Sequence, residues 1–330
     1  MKKIAFLIFS FLSYTAHSQT LESIRGGYSK PLADRSPSTN PSTPDKTELG
    51  KMLFFDVRLS GNNAMSCASC HNPLLGWSDG IPKAIGRDGK QLERRTPSLW
   101  NVGLSPRLQW DGAFDELEDQ ALAPIHKPTE MNQDLKRLPA KIQAVKGYAP
   151  LFAKAFPGET ISNVTIARAL AAFERTILST VTPFEDFLNG NDNALSLDAK
   201  MGLLLFKGKA GCGLCHGGWK FSDDAFYDIG LKSEDRGVGR LANDSSRDFM
   251  FKNTRLLEVA SHPPYMHDGS LPDLAAVVSF YNRGGDSKRP TVSHDQKPRH
   301  LSSLEEAQLV EFLKSLSSHP KTFEIPQIPD

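Results

Sequence analysis

Two copies of one five-residue motif constrain this chain more than any other feature. Cys67-Ala68-Ser69-Cys70-His71 and Cys212-Gly213-Leu214-Cys215-His216 both read C-x-x-C-H. That spacing is the attachment signal for c-type haem: two thiols bond the haem vinyls and the adjacent histidine reaches the iron. The four cysteines of the chain are all used in this way. A four-cysteine zinc site, or a pair of disulfides, would not require a histidine after each pair. A thioredoxin-like site would need one pair only, within an α/β pattern. The motifs therefore predict two covalently bound haem c groups, on Cys67, Cys70, Cys212 and Cys215, with His71 and His216 as iron ligands.

The amino terminus reads as an export signal. Lys2 and Lys3 precede an apolar run, Ile4 to Tyr14, too short to span a bilayer, and Ala16-His17-Ser18 has the small-x-small form of a cleavage site. Residues 1–18 are thus expected to be removed, leaving a periplasmic protein that starts at Gln19 and has no membrane span. The formal net charge of +1 becomes −1 when the two lysines go. Such a balance offers no basic face to a nucleic acid. With 39% hydrophobic and 23% charged residues the composition is that of a soluble globular protein.

Residues 19–46 form a Pro/Ser-rich leader, with Pro31, Pro37, Pro41 and Pro44. His319 to Asp330, with three prolines, reads as an irregular tail. Helical patterns dominate between them. Ile166, Leu170, Phe173 and Ile177 share one face; so do Leu309, Phe312, Leu313 and Leu316, behind a predicted Ser303/Glu306 capping box. Alternating strands are scarce, and Asn282 to His300 is a long polar loop. The fold class expected is mainly α, with long loops.

The chain also repeats itself. Gly50-x-x-Leu53-Phe54 precedes the first motif and Gly202-x-x-Leu205-Phe206 the second. Leu99, Val102, Asp111-Gly112 and Leu117 match Leu256, Val259, Asp268-Gly269 and Leu274 at a constant offset of 157. Two cytochrome c-like haem domains related by internal duplication follow, expected over residues 47–181 and 182–330. A helix after the Asp-Gly turn could place a side chain over its own haem. In the second half Tyr281 is the candidate, and the offset makes Pro124 its counterpart. Phenolate ligates iron and proline does not. From the residues alone an ordinary core aromatic at Tyr281 is the plainer reading.

These motifs closely resemble the bacterial di-haem cytochrome c peroxidase family, including its MauG branch. The resemblance runs from about Glu48 to Leu316. It is carried by Leu53-Phe54-Phe55-Asp56-x-Arg58-Leu59-Ser60, Trp110-Asp111-Gly112, Gln120 with Glu130-Met131, the run Pro264-Tyr265-Met266-His267-Asp268-Gly269-Ser270, and both haem motifs. It implies a peroxidatic haem in the N-terminal domain and an electron-transfer haem in the C-terminal one. Gln120 and Glu130 match the distal pair, where a carboxylate can shuttle a proton between the peroxide oxygens. Trp110 matches the tryptophan between the haems. Tyr281 falls where the peroxidase branch has a methionine ligand, fourteen residues after His267; a tyrosine there is similar to the MauG branch.

Two departures accompany the match, one at Ala113, which follows Trp110-Asp111-Gly112 where the family commonly has arginine, and one at Arg95. Arg95 stands where the family has a calcium-binding asparagine, and a guanidinium cannot ligate calcium, so calcium is in doubt although His262 and Pro264 still offer carbonyls. No histidine lies between His71 and His126 to close the first haem. The expected function is a MauG-type peroxidase: hydrogen peroxide reacts at an open N-terminal haem, and oxidising equivalents pass through the His216/Tyr281 haem to a redox protein partner. The alternatives are a conventional peroxidase fed by a small cytochrome or cupredoxin, and a non-catalytic di-haem electron carrier.

Overall fold

A computed structural model describes Tyr28, residues 36–318 and residues 322–330. The predicted signal, residues 1–18, lies outside the described residues. The expected helix-dominated fold is found. In chain order the helices are α1 Pro44–Phe55, α2 Cys67–Cys70, α3 Leu117–His126, α4 Leu138–Gln143, α5 Tyr148–Ala155, α6 Asn163–Glu174, α7 Pro183–Leu188, α8 Leu197–Lys207, α9 Val238–Ala242, α10 Leu274–Asn282 and α11 Ser303–Lys314. Two short strands, β1 Phe226–Tyr227 and β2 Phe251–Lys252, pair antiparallel with Phe226 opposite Lys252. No helix among the described residues is long and apolar enough to cross a membrane.

Local chemistry sets the helix starts. Thr43 caps α1 by accepting from the Lys46 amide, and Pro44 sits in the first turn, where a missing N–H costs nothing. The last three residues of the predicted leader are therefore helical. Ser302, not Ser303, caps α11, and its box closes with Glu305, not Glu306. Both registers place a serine three residues before a glutamate, which is why the sequence pattern misplaced the cap by one.

The duplication is visible in three dimensions. α1 packs on α6 in the first half as α8 packs on α11 in the second. A Cβ on Gly50 would lie 1.9 Å from the Ala169 carbonyl oxygen, and one on Gly202 2.0 Å from that of Gln308. These glycines let two helix backbones touch. Phe54 meets Phe173 edge-on at 5.2 Å and 62°, and Phe206 meets Phe312 at 5.1 Å and 63°. Further on, the Leu108–Phe114 bridge recurs as Tyr265–Leu271, and α3 and α10 begin at equivalent positions, Leu117 and Leu274.

Two hydrophobic cores result. One is built around Phe54, Trp77, Tyr148, Ile166 and Phe173, the other around Phe184, Phe206, Phe221, Val278 and Phe312. Described residues near both ends of the chain tie into them. Tyr28 packs against Phe184 and Phe221 in the second core. The described part of the tail, residues 322–330, is irregular, as expected, but it returns to the first half: Phe323 stacks on Phe55 at 5.5 Å, and the Pro329 carbonyl accepts from Arg58.

Candidate haem sites

Each C-x-x-C-H motif forms a short turn that presents its histidine inward. His71 Nδ1 lies 3.0 Å from the Trp77 carbonyl and His216 Nδ1 2.8 Å from that of Phe221. A carbonyl only accepts, so each Nδ1 carries the proton and each Nε2 keeps its lone pair. Burial pushes both imidazole pKa values down, which keeps them neutral. Two neutral, oriented imidazoles beside paired thiols are what a c-type haem requires.

The second site opens into a cavity of about 230 Å³. Cys212, Cys215, His216 and Tyr281 line it together, with apolar Leu274, Val278, Leu309 and Leu313. Arg299 and Gln296 add donors suited to carboxylates such as haem propionates; Gln296 Nε2 is buried with no hydrogen-bond partner. The donor set and the orphaned amide fit a haem. Burial pushes the Tyr281 phenol pKa up, so on its own it stays protonated. A bound cation would reverse that preference. Sequence reasoning missed Arg299 and Gln296 because they sit in the polar 282–300 loop, which has no periodicity.

In the first half Gln120 is half-buried on α3, one turn before Pro124. Glu130 is half-buried just beyond the same helix and pairs with Lys127 at 2.9 Å. Its charge is close enough to act on both Cys70 and His71. His126 ends the helix and is exposed to solvent.

Trp110 joins the halves. It comes from the first half yet lines the second cavity; its indole donates to the Arg95 carbonyl at 2.8 Å, and its own carbonyl accepts from the Lys252 amide at 2.8 Å. Arg95 is only 3% exposed, and its guanidinium donates to the His262 carbonyl and to Ser78 Oγ. The carbonyl that the resemblance would lend to calcium is thus held by a cation of the chain itself. No cluster of three or more His, Cys, Asp or Glu able to hold a metal ion occurs among the described residues.

A duplicated α-helical chain with two such sites is a di-haem c-type cytochrome. The family profile for di-haem cytochrome c peroxidases matches residues 44–193. The methylamine utilization protein MauG of Methylorubrum extorquens is 44% identical over 318 residues, covering 95% of this chain and 90% of that protein. The cytochrome c551 peroxidase of Pseudomonas aeruginosa is 29% identical, covering 98% and 94%. The crystal structure of a MauG-like protein associated with microbial copper homeostasis superposes with a TM-score of 0.81 at 31% identity, covering 88% of this chain and 93% of that one. The chain belongs to the di-haem cytochrome c peroxidase and MauG family, and it is a di-haem peroxidase.

Proposed function

We propose that this protein is a MauG-type peroxidase, exported to the periplasm, that uses hydrogen peroxide to oxidise a protein partner. The observation that carries the reading is the asymmetry of the two sites. Tyr281 lines the cavity of His216, while its counterpart Pro124 offers no donor. Haem held by Cys67, Cys70 and His71, and by Cys212, Cys215 and His216, would supply peroxide O–O cleavage and storage of the oxidising equivalents.

The chain's own residues do the remainder. Glu130 accepts a proton from the inner peroxide oxygen and returns it to the outer one, and Gln120 orients the peroxide by hydrogen bonding. Trp110 presents an aromatic path between the halves. Tyr281 gives an anionic oxygen donor, which favours oxidised over reduced iron. Arg95 replaces calcium between the halves, since its guanidinium already occupies the His262 carbonyl.

The test is one equivalent of hydrogen peroxide added to the fully oxidised protein without reductant, followed in the Soret region. A fast change to a long-lived oxidised species is expected. No change would mean a closed first site and would overturn the reading.

A further inference from the structure

The duplication assigns a role to a residue the peroxidase chemistry leaves unused. Phe312 stands 139 residues after Phe173, as Gln308 does after Ala169, and both pairs make the same helix crossing. The equivalence extends along the chain. Thr176 Oγ1 donates to the Phe173 carbonyl as Ser315 Oγ donates to that of Phe312. Asn101 N donates to the Ile177 carbonyl as Glu258 N donates to that of Leu316. At this register Glu174 is the counterpart of Leu313, and Leu313 lines the second cavity. The duplication therefore puts a carboxyl on the wall of the first haem site where the second has a methyl-bearing side chain.

The surroundings of Glu174 agree. It is 5% exposed, and its Oε2 is buried with no hydrogen-bond partner. Its charge acts on the Cys67 thiol, one of the two thioether positions. α1 faces α6 with apolar Leu49, Leu53 and Phe54. The charged neighbours are Arg175 on its own helix and Glu118 on α3, and these two bind each other through paired 2.8 Å contacts. Arg175 draws the Glu174 pKa down without a hydrogen bond to it, but burial outweighs that pull and raises the pKa to about 8.

We infer that Glu174 exchanges a proton with solvent in step with the oxidation state of the first haem. When that site loses one electron to an oxidant (peroxide in turnover), the positive charge gained favours the carboxylate, and one proton leaves Glu174. When one electron returns, the proton returns with it. This rests on the reading that Cys67, Cys70 and His71 hold a haem.

Spectroelectrochemical titration of the holoprotein between pH 6 and 9, with the first haem resolved by electron paramagnetic resonance, tests it. The midpoint of the wild-type first haem should fall as pH rises. Glu130 and Asp79 also act on this site, so the decisive quantity is the difference between proteins. Glu174→Gln and Glu174→Leu, the residue of the other repeat, should flatten the fall while leaving the second haem unchanged. An unaltered slope in Glu174→Gln overturns the inference. If neither variant retains two haems, redox-difference infrared spectra of the wild-type protein in H₂O and D₂O decide: a protonated-carboxyl stretch must appear on reduction, and its absence overturns the inference. A wild-type chain carrying haem on the second motif only would overturn the underlying reading as well; two haems with an unaltered slope would overturn this inference alone.

Discussion

Tyr281 and Pro124 occupy equivalent places on equivalent helices, and only Tyr281 carries an oxygen that could ligate iron. Tyr281→Phe removes that oxygen while preserving the ring. We expect a large change in the absorption and electron paramagnetic resonance spectra of the second haem, with the first unaffected; unchanged spectra would end the tyrosine assignment. Glu130→Gln keeps the shape and removes the base, so the peroxide reaction should slow by about 10²–10⁴-fold in stopped flow. Glu174 adds a stability effect of unusual sign. Its folded pKa of about 8 lies above the ordinary 4.5. The stability it permits is complete below pH 4.5 and is lost as pH rises towards 8. Denaturant midpoints at pH 5 and pH 8 should differ more in the wild type than in Glu174→Gln. The C-x-x-C-H residues were legible because their spacing is fixed by chemistry, whereas Tyr281 was singled out through the family resemblance, the residues alone favouring a core aromatic. Glu174 was not, because a glutamate within an apolar helical face shows its isolation only once its neighbours are placed.

Helix pairing was partly legible. Both apolar faces, Ile166 to Ile177 and Leu309 to Leu316, were readable from their periodicity, although α6 and α11 end at Glu174 and Lys314. Their kinship was hidden. Gly50 and Gly202 are 152 residues apart, the Asp-Gly turns 157, and Phe173 and Phe312 139. Loops of different length break any single offset, so the sequence showed the repeat around the haem motifs and the Asp-Gly turns, and the packing extends it to α6 and α11. The glycines are where this packing is most exacting. An added methyl at Gly50 or Gly202 would overlap a carbonyl oxygen on the facing helix, and backbone cannot step aside as a side chain can. Gly50→Ala and Gly202→Ala should each cost about 3 kcal/mol or more in chemical denaturation, whereas Gly158→Ala, whose Cβ meets nothing, should cost only the strain of its positive φ.

At the scale of the whole molecule, buried polar contacts join the two halves. Arg95 is one such contact, and it predicts that prolonged treatment with a calcium chelator leaves both haem spectra and the thermal midpoint unaltered. Arg94 is another. Its guanidinium binds Asp111 from the first half at 2.6 Å and Asp235 from the second at 2.6 and 3.1 Å, with all three side chains largely shielded. Burial alone would raise the Asp235 pKa, but the Arg94 hydrogen bonds outweigh it and hold it at about 2. Arg94→Leu would leave Asp111 without its cation and Asp235 with only the more exposed Arg240 at 3.8 Å, a loss on the order of 3 kcal/mol. The sign of its pH dependence follows from the depressed pKa. The stabilisation from Asp235 is complete above the ordinary carboxylate pKa and is lost as pH falls towards 2. Wild type and Arg94→Leu should therefore differ most in denaturant midpoint near neutrality and converge as the solution is acidified from about pH 4. A gap that stays constant from about pH 4 down towards pH 2 would show that Arg94 acts through packing and not through its charge.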